Sequence, residues 1–247
     1  MTTLRATDET VPPGKRLSKL LSRLGLTLLF GLAAALGALL FFAWLADEML
    51  EGDTRRFDEA TRAAIHQYAS PALTSLMRVV TMLGSVTFLA ASGLCVATIF
   101  LIAGRWRALV MFFITMLGAT LLDVTLKLGF RRTRPVPWFD TPLPGSFSFP
   151  SGHALGSFCF YGALAAIIAA RTRSHIVRII TWALAALLIL LIGLSRIYLG
   201  VHYPSDVLAG YAAALVWVMV VAFGDRLLRR RPAAGPDEEG HAGREGD

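Results

Sequence analysis

Long apolar runs separated by short polar links make up most of this chain. Six runs reach the roughly 17 to 25 residues that a helix needs to cross the hydrocarbon core of a bilayer. They lie near 24–46, 79–103, 108–126, 154–170, 176–194 and 207–224. The pattern predicts an all-α polytopic membrane protein with six transmembrane helices within residues 24–226. A basic arm, 1–23, precedes it, and a tail, 227–247, follows, whose Pro, Gly and charge content from Arg231 onward predicts disorder. The first run follows basic residues, as a signal peptide would, but it is long for a cleavable core and no small-residue cleavage site follows, so it is expected to stay as an anchor. The outer loop of 47–78 contains TRRFDEATRAAIHQY, residues 54–68, with Phe57, Ala64, Ile65 and Tyr68 on one helical face and charge opposite. Such a segment lies along the membrane interface or forms a packed collar. His66 in it has no evident partner, while Trp138 and Phe139 are expected as interfacial anchors.

Composition supports a membrane protein. Of the 247 residues 55% are hydrophobic and 17% charged, and the mean hydropathy is +0.59, more apolar than a soluble domain. The formal charge of +7 does not indicate nucleic acid, because the basic residues fall in short clusters between the apolar runs. Arg5, Lys15, Arg16, Lys19 and Arg23 precede the first run; Arg105 and Arg107, then Arg171, Arg173 and Arg178, and finally Arg226, Arg229, Arg230 and Arg231 occupy alternate links. These segments are assigned to the cytoplasm. Of the opposite links, the first offsets Arg55, Arg56, Arg62 and Arg78 with six acids, and the third holds Arg196 alone. The second is an exception, with Lys127, Arg131, Arg132 and Arg134, and a site that needs positive charge accounts for it. Arg131 or Arg132 taken singly reads as a snorkelling helix-end cation. Cys95 and Cys159 sit inside apolar runs and read as inert thiols.

Three polar stretches meet that outer face: KLGFRRTRP at 127–135, FPSGH at 149–153 and SRIYLGVHYPSD at 195–206. Phosphoryl transfer needs a nucleophile, a cationic clamp on the equatorial oxygens and an acid for the leaving oxygen, and these stretches supply all three. His202 and Asp206 are four apart and share a face if the sixth helix begins nearby, the carboxylate orienting one imidazole nitrogen and leaving the other free. PSGH falls where a helix starts, a natural seat for an anion. Ser151 either caps that helix or donates to phosphate, and Gly152 allows close backbone approach. Lys127, Arg134 and Arg196 form the clamp. Asp123 lies one turn before Lys127 and is expected to hold it. No metal-ligand set is present, so metal-independent catalysis without a cofactor is expected.

Taken together, Lys127-x6-Arg134-Pro135, Pro150-Ser151-Gly152-His153 and Ser195-Arg196-x5-His202-x3-Asp206 resemble the three-part signature of the type 2 phosphatidic acid phosphatase superfamily, in order and with no functional position missing. The resemblance covers the membrane part and implies six spans, a phosphohistidine on His202 oriented by Asp206, and His153 as general acid. It implies a lipid phosphatase whose substrate, phosphatidic acid, phosphatidylglycerol phosphate, undecaprenyl pyrophosphate or a lipid A phosphate, keeps its tails in the bilayer. A non-hydrolytic phospholipid carrier on the same scaffold is the alternative, and intact His153, His202 and Asp206 argue against it. Vanadate-dependent haloperoxidases share the site but are typically soluble. The Ala, Leu and Arg richness suggests a bacterium, which would place the site at the periplasmic face of the inner membrane with both termini in the cytoplasm.

Overall fold

The computed structural model describes residues 13–230 and contains eight helices and no strand among them. The helices are α1 (Pro13–Glu51), α2 (Thr54–His66), α3 (Pro71–Met82), α4 (Val86–Ile102), α5 (Trp106–Phe130), α6 (Gly152–Ala169), α7 (His175–Tyr198) and α8 (Pro204–Arg230). Five stretches are long and apolar enough to cross a membrane by themselves: Leu28–Glu51 within α1, then α5, α6, α7 and α8. The run expected as a single helix over 79–103 is instead the pair α3 and α4, bent by 47° at Leu83–Ser85; counted together they make a sixth candidate span. Local chemistry fixes the break, because Ser85 caps α4 by accepting from the Phe88 amide, and Tyr161 donates to the carbonyl of Leu83.

The expected basic arm and tail lie partly outside the described residues, at 1–12 and 231–247. Where they are described they are helical: α1 already runs from Pro13, and α8 continues through 227–230 to Arg230. No aqueous loop interrupts either helix there.

Helix α6 is the hub, packed against α4, α5, α7 and α8, while α1 lies on α8 and α3 on α7. Its sequence shows why, since Ala154, Gly156, Ser157 and Ala165 let neighbouring backbones come close, which is what drives helix association where lipid is as apolar as leucine. The outward surface is greasy, with Phe30, Val86 and Ile102 73%, 80% and 82% exposed. Cys95 belongs to that exposed surface and Cys159 is buried; both are free thiols.

At one end of the bundle an aromatic cluster of Phe42, Phe130 and Phe149 ties α1 and the end of α5 to the segment that leads into α6. The loop 131–151 carries no helix, yet its backbone is anchored at every approach. The Trp138 amide donates to Leu199 O, Ser148 N to Arg132 O and Ser151 N to Asp206 O. Arg62 and Arg78 donate to the carbonyls of Val136 and Phe139. An irregular segment packed among helices needs such satisfaction.

The amphipathic segment near 54–68 packs as a collar, and the face it buries is turned from the one its apolar residues suggested, with only Ile65 of that set packed against the core. Thr54, Asp58 and Arg62 are buried, whereas Phe57 and Tyr68 are exposed. Trp138 and Phe139 do not project as anchors either: Trp138 stacks on His66 with ring centroids 4.1 Å apart, and Phe139 on Tyr198 at 5.4 Å. His66 thereby has the partner that its sequence context did not reveal.

Candidate active site

The site assembles where the C-terminal ends of α5 and α7 meet the N-terminal ends of α6 and α8. Helix α8 begins at Pro204, so His202 lies just outside it, in the turn after α7, and Asp206 in its first turn. The two pair across the helix start rather than along one helical face, His202 Nδ1 to Asp206 Oδ2 at 3.2 Å. Both side chains are essentially inaccessible.

The tautomer follows from the other ring nitrogen. Arg134 Nη1 lies 2.9 Å from His202 Nε2, and a guanidinium can only donate. Nε2 is therefore the acceptor, Nδ1 carries the proton, and that proton points to Asp206. Burial pushes the imidazole down to about 4, with the Arg134 and Arg196 cations acting in the same direction and Asp206 opposing them. A histidine in that state is neutral at physiological pH, with its nucleophilic lone pair on Nε2.

Asp206 is held at both oxygens. Oδ2 accepts from His202, from the Tyr203 amide at 2.9 Å and from the Ser148 hydroxyl. Oδ1 accepts from Arg132 Nη1 at 2.6 Å. Arg132 is thus no snorkelling cation: its side chain is only 13% exposed and its guanidinium lies 4.1 Å from the ring centroid of Tyr203. Arg131, which ends α5 in a left-handed conformation, is the exposed one.

Lys127, Arg134 and Arg196 border one cavity. Lys127 Nζ donates to Asp123 Oδ2 at 2.7 Å, one turn away on α5, as the spacing suggested. Arg134 also holds the carbonyls of Ser146, Phe147 and Val201, which fixes its fork; burial depresses its pKa, and Asp206 and Asp123 oppose that shift. Arg196 is buried, with Nη1 on Thr81 Oγ1 at 2.6 Å and Nε without a partner. Ser151 stands at the N-cap position of α6, but its hydroxyl makes no capping bond and is buried without a partner. Ser195 commits its own to Ile192 O within α7.

Gly152 leaves room for the ion pair beside it. A Cβ there would fall 2.9 and 3.0 Å from the carboxylate oxygens of Asp123 and 3.0 Å from Lys127 Nζ, so both side chains would have to shift. The start of α6 thus approaches Lys127 closely, and a helix N-terminus beside a cation is an arrangement that binds anions.

Lys127, Arg134, His153, Arg196 and His202 all border one cavity of about 570 Å³. It continues away from them between α4 and α5, past Leu89, Leu94, Phe113 and Leu117. Leu94, Phe113 and Leu117 are also exposed on the outside of the bundle, so the cleft is open toward the bilayer. From Lys127 to Leu109 along α5 the cavity spans about 27 Å at 1.5 Å per residue. Among the described residues no group of three or more His, Cys, Asp or Glu side chains is placed to hold a metal ion.

Several participants were not singled out from the sequence. Asp58 is fully buried, and its carboxylate takes Ser205 N at 2.9 Å, Ser205 Oγ at 2.7 Å and Arg132 Nη2 at 2.7 Å. Ser148, Ser205 and Thr81 support Asp206, Asp58 and Arg196 in turn. The one available signal was the spacing of Thr54, Asp58 and Arg62, a polar stripe on a helix.

Comparison with known proteins identifies the family. Residues 107–227 match the family described as the PAP2 superfamily. Phosphatidylglycerophosphatase B of Bacillus subtilis is 31% identical over 196 residues, 77% of this chain and 94% of that protein. A lipid A 1-phosphatase of Rhizobium etli is 34% identical over 109 residues, 40% of this chain and 43% of that one. The crystal structure of a transmembrane PAP2 type phosphatidylglycerolphosphate phosphatase from Bacillus subtilis superposes with a TM-score of 0.71 at 30% identity, covering 79% of this chain and 98% of that chain. With its motifs gathered at one cavity and a relative matched over nearly its whole length, this chain belongs to the PAP2 superfamily.

Proposed function

We propose that this protein removes phosphate from a membrane lipid at the outer face of the bilayer, through a phosphohistidine on His202 and without a metal. The observation that carries the reading is the continuity of the cavity. Its cationic end suits a phosphate, and its apolar cleft between α4 and α5 suits the tail of the same molecule, left in the bilayer. Lipid phosphate hydrolysis is the chemistry named for the relatives.

Lys127, Arg134, Arg196 and the first amides of α6 bind the nonbridging oxygens, Arg134 transferring its donor from His202 Nε2 to the phosphate as the ligand arrives. Nε2 then attacks phosphorus in line, the bond to the lipid oxygen breaks, and His153 delivers a proton to the departing alkoxide. Asp206 stabilises the positive ring. In the second half, His153 takes a proton from water as its oxygen attacks the phosphohistidine, releasing inorganic phosphate and restoring neutral His202. The cations neutralise charge as it builds on the equatorial oxygens.

Phosphatidylglycerol phosphate is the first substrate to try, because the Bacillus subtilis relative, matched over 77% of this chain, is named for it. A bacterial inner membrane, with the site periplasmic and both termini cytoplasmic, is the orientation the Lys and Arg distribution supports. The test is phosphate release by detergent-purified protein from phosphatidylglycerol phosphate, phosphatidic acid, undecaprenyl pyrophosphate and a lipid A phosphate, in EDTA, with His202→Ala beside it. Release that survives chelation and vanishes in the variant supports the reading. Release that needs a divalent cation, or persists in His202→Ala, overturns it. A folded protein that releases no phosphate but binds one of these lipids would make it a carrier.

A further inference from the structure

A second charged assembly lies behind the one just described, and nothing in the mechanism uses it. Asp58 sits on the collar helix α2, Arg132 in the loop after α5 and Ser205 at the start of α8. One guanidinium joins two carboxylates: Nη1 reaches Asp206 Oδ1 at 2.6 Å and Nη2 reaches Asp58 Oδ2 at 2.7 Å. Ser205 closes the ring, its hydroxyl accepting from Arg132 Nη1 at 2.7 Å and donating to Asp58 Oδ2 at 2.7 Å. Its amide donates to Asp58 Oδ1 at 2.9 Å, so Asp58 also sits on the amino end of α8. Both carboxylates are fully buried, and an isolated buried charge of this kind is strongly unfavourable. The ring is closed and the guanidinium shared between both carboxylates only if every member is present.

Resting on the reading of His202 as nucleophile and Asp206 as its orienting carboxylate, we propose that Asp58 and Arg132 are positioning residues that fix the Asp206 carboxylate, and through it the attacking imidazole. Asp206 has two oxygens and two tasks. Oδ2 orients His202, and it can do so only if the carboxylate does not rotate about its own bond. Arg132 blocks that rotation by binding Oδ1, and Asp58 blocks rotation of Arg132 by binding the other arm of the fork. The collar helix is then part of the catalytic apparatus although it does not line the cavity.

The device also sets how much negative charge His202 feels. His202 is faced by Asp206 from α8, Arg134 from the loop and Arg196 from α7, and His153 from α6 interacts with it. Arg132 and Asp58 stand behind Asp206. Removing the Arg132 charge leaves Asp206 unshared and makes His202 easier to protonate; removing the Asp58 charge makes it harder. The two changes act with opposite sign, which a general loosening of the fold would not produce.

The experiment compares wild type, Asp58→Asn, Arg132→Gln and Arg132→Lys on the best lipid substrate, with acid-quenched trapping of labelled phosphoenzyme and His202→Ala as control. Asp58→Asn and Arg132→Lys are expected to lose ~10²-fold in kcat, the scale of a misplaced reacting group, with KM within about threefold, because the phosphate-binding cations are untouched. The acid limb of kcat/KM is expected to rise by about one pH unit in Arg132→Gln and not to rise in Asp58→Asn. Folding is checked by elution and melting temperature. If Asp58→Asn or Arg132→Gln fails to fold, Arg132→Lys, which keeps the buried charge but cannot span both carboxylates, decides alone. Wild-type kcat in a folded Asp58→Asn or Arg132→Lys overturns the inference, as does an acid limb that moves the same way in both charge-removing variants. If wild type traps no phosphoenzyme and His202→Ala remains active, the histidine mechanism has failed instead.

Discussion

Arg134 donates to the Nε2 atom of His202 at 2.9 Å, so the lone pair of that nitrogen is covered by a guanidinium. The pairing fixes the tautomer with the proton on Nδ1, and in the proposed mechanism the guanidinium leaves when an anion replaces the imidazole.

The acidity of His202 leads to the first prediction. Its pKa is pushed down to about 4, below the ordinary value near 6.5, so the nucleophile stays neutral well into acid. The acid limb of kcat/KM assigned to it should lie near pH 4. Between about 6.5 and 4 the unfolded chain binds the proton that the folded chain refuses, so stability is full above the upper value and falls as pH drops through this window. A pH series of rates and melting temperatures in detergent reads both.

Gly152→Ala should separate geometry from folding. Its Cβ would press on the Asp123 carboxylate and on Lys127 Nζ, displacing the cation from the phosphate seat. We expect kcat/KM to fall ~10²-fold while the melting temperature moves by only a few degrees, as measured by phosphate release and thermal unfolding.

The cleft between α4 and α5 makes a prediction about chain length. Leu117→Trp, which narrows the apolar part without touching the cations, should lower kcat/KM about tenfold for a long-chain lipid phosphate and leave a short-chain, water-soluble analogue nearly unaffected. Equal losses on both would mean the tail lies elsewhere.

Sidedness is tested on the collar. Arg55 is exposed on α2, and Arg55→Cys in a Cys95→Ser background should react with an impermeant maleimide in intact cells. Labelling that appears only after lysis would reverse the orientation.

The residues that were legible in the sequence act over short distances. Gly152 and His153 follow directly from a helix beginning at a fixed motif, and Asp123 and Lys127 from one turn of α5. His202 and Asp206 were legible as a pair, although the helix start between them was not. Asp58 was not legible because its partners are 74 and 147 positions away, and because a charged stripe on a short amphipathic helix ordinarily faces water. Arg132 was hidden among four neighbouring cations whose spacing does not say which one turns inward. The break at Leu83–Ser85 lies in a run whose composition is continuous, and only the packing of Tyr161 and the cap at Ser85 reveal it. Trp138 and Phe139 carry the composition of membrane anchors, but their stacking on His66 and Tyr198 depends on a loop path that no local pattern encodes.

The ring of Asp58, Arg132 and Ser205 also bears on biogenesis. During synthesis Asp58 leaves the ribosome well before Arg132 and Ser205, and its 147-residue wait for Ser205 ends only when the last span is in place. The cation that pairs with Asp58 comes earlier, with Arg132, but the ring closes only with Ser205. A chain that stops before α8 therefore lacks the Ser205 amide and hydroxyl, two of the three donors that hold the Asp58 carboxylate.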